Sequence, residues 1–202
     1  MVQRDVTLAG LTRGRVHIAH MSTRGALRAV REGKSQGFPV TCEVAPHHFT
    51  LTDAALESPV QYDTNCKMNP PLREPADVEA MIEGIVDGSV DAIATDHAPH
   101  HADEKGIEFD QAPFGIVGLE TCVPLVFEQL VHSGRITLGR AIELLSTNPA
   151  GFSVGLVGRL RRAPSLTSRC SRLTSLSLSL RRSWRPVRRT LPSTDGRSAA
   201  PP

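Results

Sequence analysis

No stretch of this 202-residue chain approaches the ~18 consecutive apolar residues that a membrane span needs. The opening residues, Met1-Val2-Gln3-Arg4-Asp5, carry neither an apolar core nor a cleavage site. A membrane helix and a secretory leader are not expected, and a reducing cytoplasm is the default location. Cysteine is sparse: Cys42, Cys66, Cys122 and Cys170 are widely scattered and form no CxxC pair. That argues against a disulfide framework and against a zinc-finger site. Acidic residues all but vanish from one region, since residues 157–202 hold 11 Arg against the single acid Asp195, a balance of +10. Residues 1–156 hold 12 Lys/Arg against 20 Asp/Glu, a balance of −8, so the overall charge of +2 hides two different kinds of sequence.

From about Leu156 the chain also lacks periodicity. Arg and Ser dominate, and Pro186, Pro192, Pro201 and Pro202 interrupt what remains. Such a segment could neutralise phosphates, but low acid content without periodicity is the composition of an unfolded chain. The expectation is a domain over 1–155 and a disordered tail over 156–202, with no nucleic-acid and no membrane partner.

What is present is a repeated pattern. Residues 2–12 read as a helix end with Val6, Leu8 and Leu11 apolar, and Val16-His17-Ile18-Ala19-His20 reads as a strand finishing on a histidine. Ser22 or Thr23 then offers an N-cap, and Ala26, Leu27 and Val30 share a helical face until Gly37. Phe38–Val44 is a second strand with His47 and His48 at its polar exit, followed by an irregular segment. Glu74-Pro75 starts a helix whose apolar face is Val78, Met81, Ile82 and Ile85. A third apolar run, 91–95, ends abruptly in Asp96-His97-Ala98-Pro99-His100. Helices are expected from about Leu119 to Val131 and from Leu138 to Leu145, the second halted at Asn148-Pro149. Three strand-to-helix units without hairpin turns predict an α/β fold with a parallel sheet, and three strands cannot close a barrel.

In parallel sheets, reactive groups sit at the carboxyl ends of the strands. Here those ends offer His20, then His47 and His48, then Asp96 with His97 and His100. Imidazole and carboxylate on one rim form a ligand set for zinc or a similar divalent ion acting on water. His47 and His48 read as packing or supporting residues, since satisfied histidines outnumber ligand histidines.

Four segments, His20-Met21-Ser22-Thr23, Glu43-Val44-Ala45-Pro46-His47-His48, Asn69-Pro70-Pro71-Leu72-Arg73 and Ala94-Thr95-Asp96-His97-Ala98-Pro99-His100, resemble the bacterial dihydroorotases of the amidohydrolase superfamily in order and spacing. Pro113-Phe114-Gly115 continues the match, which runs from about residue 2 to about 152. The resemblance implies about the last three units of a TIM-type (β/α)8 barrel of the metal-dependent hydrolase kind. It also implies zinc, one or two ions in the intact family, and the interconversion of N-carbamoyl-L-aspartate and L-dihydroorotate in pyrimidine biosynthesis. His20 and Asp96 resemble metal ligands, and Asp96 the catalytic acid–base. Asn69, His100, Phe114 and Gly115 resemble substrate-binding positions.

The family's His-x-His motif, its bridging acid or carbamylated lysine and a further histidine have no counterpart here, and after Asn148-Pro149-Ala150 the match gives way to the Arg/Ser-rich tail. The expectation is a truncated, frameshifted fragment, weakly active or inactive alone. Two other readings stand beside it: an allantoinase or hydantoinase-type cyclic amidase, and a non-catalytic scaffold partner of aspartate carbamoyltransferase. Retention of His20, Asp96 and His100 speaks against the scaffold.

Overall fold

A computed structural model describes residues 1–57 and 61–152. The tail, its expected disorder and the boundary at residue 155 lie outside the described residues, which all belong to one unit, Met1–Arg159.

Three strands, β1 (Val16–Ile18), β2 (Val40–Val44) and β3 (Ala92–Ile93), form a sheet in the order β1-β2-β3. Both pairings are parallel, with Val16 opposite Val40, Ile18 opposite Cys42 and Val44 opposite Ile93. This agrees with the α/β expectation. β3 is shorter than the expected 91–95 run, because the chain leaves the ladder before Asp96, whose φ of 47° is incompatible with a strand.

Helix α1 (Val2–Thr12) precedes β1, and α2 (Arg24–Ser35) and α3 (Pro75–Val86) lie between successive strands. Thr23 caps α2, its hydroxyl accepting from Ala26 N–H at 3.2 Å, and Pro75 occupies the first turn of α3, where a missing N–H costs nothing. Leu27 and Val30 of α2 and Met81 and Ile85 of α3 are fully buried against Val40, Cys42 and Val44. Each such aliphatic side chain contributes about 1.5–3 kcal/mol by leaving water. The sheet's alternation puts His17, Thr41 and Glu43 on its other face, where they are exposed or half-buried. At the amino end of β3, Asp91 accepts from Lys34 Nζ at 2.6 Å and from Cys42 N–H at 2.8 Å, fastening α2 to the sheet.

After the short α4 (Ala102–Lys105) come α5 (Cys122–Val126), α6 (Leu138–Ile142) and α7 (Asn148–Phe152). A wider helical turn continues α5 through Phe127–Val131, and another carries α6 through Glu143–Thr147 into α7. The first of these helices starts at Cys122 rather than at Leu119, and Asn148-Pro149 is not a stop. Pro149 falls in the turn that directly follows the wider Glu143–Thr147 segment, and the helical path continues through it. No described helix is long and apolar enough to cross a membrane.

Candidate metal centre and its rim

Because all three strands run the same way, their carboxyl ends open on one side. His20 lies two residues past β1, His47 three past β2, and Asp96 three past β3. His20 and Asp96 both take left-handed backbone conformations, with φ of 50° and 47°. For residues with a Cβ this is strain that their surroundings must over-determine, costing of order 1 kcal/mol or more each. The turn breaks each strand and aims the side chain across the rim.

The three groups converge. His20 Nε2 lies 3.6 Å from Asp96 Oδ1, and His47 Nε2 lies 3.6 Å from Asp96 Oδ2. Neither distance is a hydrogen bond. His47 Nε2 and Asp96 Oδ2 are buried atoms without a hydrogen-bond partner, although such atoms are rarely left orphaned. Burial pushes His47 down to about 3, with His48 and His20 adding to the shift, so it is a neutral imidazole. His48 is also lowered, by burial first, and its Nε2 lies 2.9 Å from Pro70 O.

Sequence reasoning missed Glu43 as a member of this group. Its carboxylate lies 3.1 Å from His20 Nδ1 through Oε1 and 3.2 Å from His17 Nε2 through Oε2. The Glu43 carboxylate beside its Nδ1 is the main cause of a raised His20 pKa, opposed by burial and assisted by Asp96. On Glu43 itself burial acts upward but is outweighed by His20 and His17, which hold the carboxyl below its usual value. The available signal was the alternation of β2, which puts Glu43 on the face of His17.

The expected substrate-contacting residues fall on two loops beside this rim. Asn69 is exposed, one residue past a buried pair, Lys67 and Met68. His100 Nε2 lies 3.0 Å from Phe114 O, and its Nδ1 is 3.5 Å from Glu104. The Gly115 N–H is already used, donating to Lys67 O at 2.9 Å, so its backbone offers a carbonyl rather than a donor. Gly115 has φ of 154°, and a Cβ there would meet Ala98 O at 2.5 Å, which no side chain tolerates.

Two further residues hold these loops: Lys67, to which sequence reasoning gave no role, and His97, which it placed among the strand-end groups. Lys67, 7% exposed, donates from Nζ to the carbonyls of Phe109 (2.6 Å), Asp110 (3.0 Å) and Ala112 (2.6 Å). Its ammonium also lies 4.6 Å from the centre of the Phe114 ring. His97 accepts at Nδ1 from the N–H groups of Gly118 (3.0 Å) and Leu119 (3.1 Å), tying the following loop to the end of β3.

Two ligands held 2.0–2.1 Å from a tetrahedral ion are roughly 3.4 Å apart. The 3.6 Å between His20 Nε2 and Asp96 Oδ1, with an orphaned carboxylate oxygen beside it, therefore fits two vertices of a divalent site. Among the described residues, however, no group of three or more His, Cys, Asp or Glu is placed to hold an ion.

The described fold is shared by solved hydrolases. A D-hydantoinase (dihydropyrimidinase) from Thermus sp. matches 75% of this chain and 34% of its own, at TM-score 0.70 and 27% identity. The dihydropyrimidinase of Brevibacillus agri NCHU1002 matches 74% of this chain and 33% of its own, at TM-score 0.69 and 25% identity. No protein-family model matches the chain. These parallel strands, with His and Asp at their carboxyl ends, are similar to about a third of the fold of each of these enzymes, a hydantoinase and a dihydropyrimidinase of the amidohydrolase class. Within that class the chain is homologous to part of a bacterial dihydroorotase. It is 56% identical to the dihydroorotase of Pelotomaculum thermopropionicum over 150 residues, which is 74% of this chain and 34% of that protein. Identity to the dihydroorotase of Geobacter sp. strain M21 is 58% over 149 residues, and to that of Solibacter usitatus 54% over 159 residues. The chain thus spans about a third of the length of these curated relatives.

Proposed function

We propose that this chain is the strand-end portion of a zinc-dependent dihydroorotase, built as the last three units of a (β/α)8 barrel. In that setting it serves the reversible cyclisation of N-carbamoyl-L-aspartate to L-dihydroorotate in pyrimidine biosynthesis. The observation that carries the reading is the approach of His20 Nε2 to Asp96 Oδ1 at 3.6 Å, with Asp96 Oδ2 left unpartnered. His20 and Asp96 would hold the ion, which when bound supplies Lewis-acid polarisation of the ring carbonyl and acidifies water. Asp96 takes the proton from the attacking water as the C–O bond forms, and returns it to the ring nitrogen as the C–N bond breaks. His47, neutral, can donate from Nε2 to Asp96 Oδ2 and keep that oxygen turned toward the reacting atoms. Asn69 and the Gly115 carbonyl suit the ureide edge, and His100 suits the substrate carboxylate once it turns from Phe114.

Alone, the chain offers two donors where a working site needs three or more, so its turnover is expected to be weak or nil. The structural likeness to hydantoinases and dihydropyrimidinases favours a second reading, a cyclic amidase acting on hydantoin or dihydrouracil. The identity of 54–58% to proteins named dihydroorotase outweighs the 25–27% to those enzymes. Both are tested by turnover of dihydroorotate, hydantoin and dihydrouracil by the zinc-loaded chain mixed with a polypeptide covering the other two-thirds of the Pelotomaculum thermopropionicum relative. Dihydroorotate should be hydrolysed best, and Asp96→Asn should lower that rate by about 10²-fold or more. Preference for hydantoin would overturn the substrate, and activity indifferent to Asp96→Asn would overturn the role of that carboxylate.

A further inference from the structure

A histidine can bind a cation only through a nitrogen that carries no proton, so which nitrogen of His20 is protonated decides whether it is a ligand. Glu43 bears on that choice. Its two carboxylate oxygens face two different imidazoles, His17 Nε2 at 3.2 Å and His20 Nδ1 at 3.1 Å. An ionised carboxylate only accepts. At these ion-pair distances, both short of an aligned hydrogen bond, the carboxylate favours a hydrogen on each facing nitrogen, Nε2–H on His17 and Nδ1–H on His20. The other end of His17 agrees, since its Nδ1 lies 2.8 Å from Thr41 Oγ1, a hydroxyl able to donate.

His20 Nδ1 is short of an aligned hydrogen bond despite its distance, but it is a buried atom with no other partner. Met21 N–H donates to Glu43 O at 2.9 Å, so the turn carrying His20 is tied to the strand residue that faces its ring. With the hydrogen on Nδ1, the lone pair sits on Nε2, the atom 3.6 Å from Asp96 Oδ1. A lone pair and an anionic oxygen repel unless a positive charge lies between them.

We propose that Glu43 is a positioning residue: it holds His20 in the Nδ1–H form and turns Nε2 toward Asp96, while His17, backed by Thr41, fixes the carboxylate. The relevance to zinc rests on the functional reading above; the protonation pattern does not. A free neutral imidazole prefers Nε2–H. Without Glu43 the ring would place that hydrogen against Asp96, satisfying the carboxylate and closing the position to a cation. Partners of this kind typically change metal affinity by 10- to 100-fold.

The test is long-range 1H–15N spectroscopy of the imidazoles in the full 202-residue chain at pH 9, with His20→Gln to assign the resonance. Wild type and Glu43→Gln, which retains an acceptor oxygen, should show His20 as Nδ1–H. Glu43→Leu should show Nε2–H and bind zinc at least about tenfold more weakly than Glu43→Gln. An Nε2–H ring in the wild type overturns the proposal, even where Glu43→Leu does not fold. So does a ring unchanged by Glu43→Leu. Nδ1–H in a wild type that binds no zinc upholds the positioning and overturns the metal reading instead.

Discussion

His47 is the residue whose surroundings most change its chemistry. In the unfolded chain it titrates near 6.5, whereas burial holds it at about 3 in the fold. Below about 6.5 the unfolded chain gains a proton that the folded one refuses. The associated stability is therefore complete above about 6.5 and drains away as pH falls toward 3, by an amount of order 4 kcal/mol. His48, lowered by burial, adds to the same trend. His20 has the opposite sign, because its raised value gives stability that is complete below about 6.5 and lost as pH rises through the folded value. Urea unfolding between pH 8 and 4.5 should show a falling midpoint whose slope flattens in His47→Gln; an unaltered slope would refute the assignment. His97 gives a second expectation. Its Nδ1 accepts two backbone N–H groups, so His97→Asn, which keeps an acceptor at that position, should stay within about 1 kcal/mol of wild type. His97→Leu should lose about 2 kcal/mol by leaving both groups unpaired. Equal losses in the two variants would show that only ring packing matters. At this scale the strand-end polar groups His20, His47 and Asp96 were legible, because each follows a short apolar run. Their meeting on one rim followed from parallel strands, but the close approach of the side chains did not, since it depends on two left-handed residues that no periodicity announces. Glu43 hid within a strand, and its neighbours across the sheet appear only once the β1–β2 register is known.

At the scale of elements, the helices that pack the sheet were readable from caps and apolar spacing: Thr23 before α2, Glu74-Pro75 before α3. The irregular segments were not, because long-range polar contacts fix them. Lys67 joins the loop of Asn69 to the loop of Phe114 and Gly115 by three donors and one carbonyl, and Lys105 adds bonds to Thr64 O (3.0 Å) and Pro113 O (2.8 Å). No local pattern predicts a lysine buried among carbonyls. Lys67→Met should release the second loop while sparing the sheet, since the removed bonds all lie in loops. By hydrogen exchange the Gly115 amide should lose at least about tenfold protection, matching about 1.4 kcal/mol, with β2 amides unchanged. Equal losses in β2 would make Lys67 a general stability residue instead. Gly115→Ala tests the same loop from its backbone. The added Cβ would meet Ala98 O at 2.5 Å in a conformation L-residues avoid, so a destabilisation of about 2 kcal/mol or more is expected in thermal unfolding.

At the scale of the whole molecule, the sheet has one face packed by helices and another bearing His17, Thr41 and Glu43, with a hollow lined by His17, Glu43, Ala92, Pro149 and Phe152. Parallel sheets are ordinarily covered on both faces. Strand β1 also presents an outer edge whose backbone groups pair with no described strand. These features, the two-donor rim and a span of about a third of each relative all lead to one expectation. Further strands, supplied by a polypeptide covering the other two-thirds of the Pelotomaculum thermopropionicum relative, should cover the polar face and bring additional ligands to His20 and Asp96. Mixing that polypeptide with this chain and zinc should raise dihydroorotate turnover well above either component alone, and hydrogen exchange of the β1 amides should slow as the edge is paired. Asp96→Asn in this chain should abolish the gained turnover without preventing the slowing at β1, because that carboxylate belongs to the rim and not to the strand edge. Slowed exchange without turnover would show that the strands pair but the ligand set stays incomplete. Turnover that survives Asp96→Asn would place the active carboxylate on the added polypeptide and remove this chain from the chemistry.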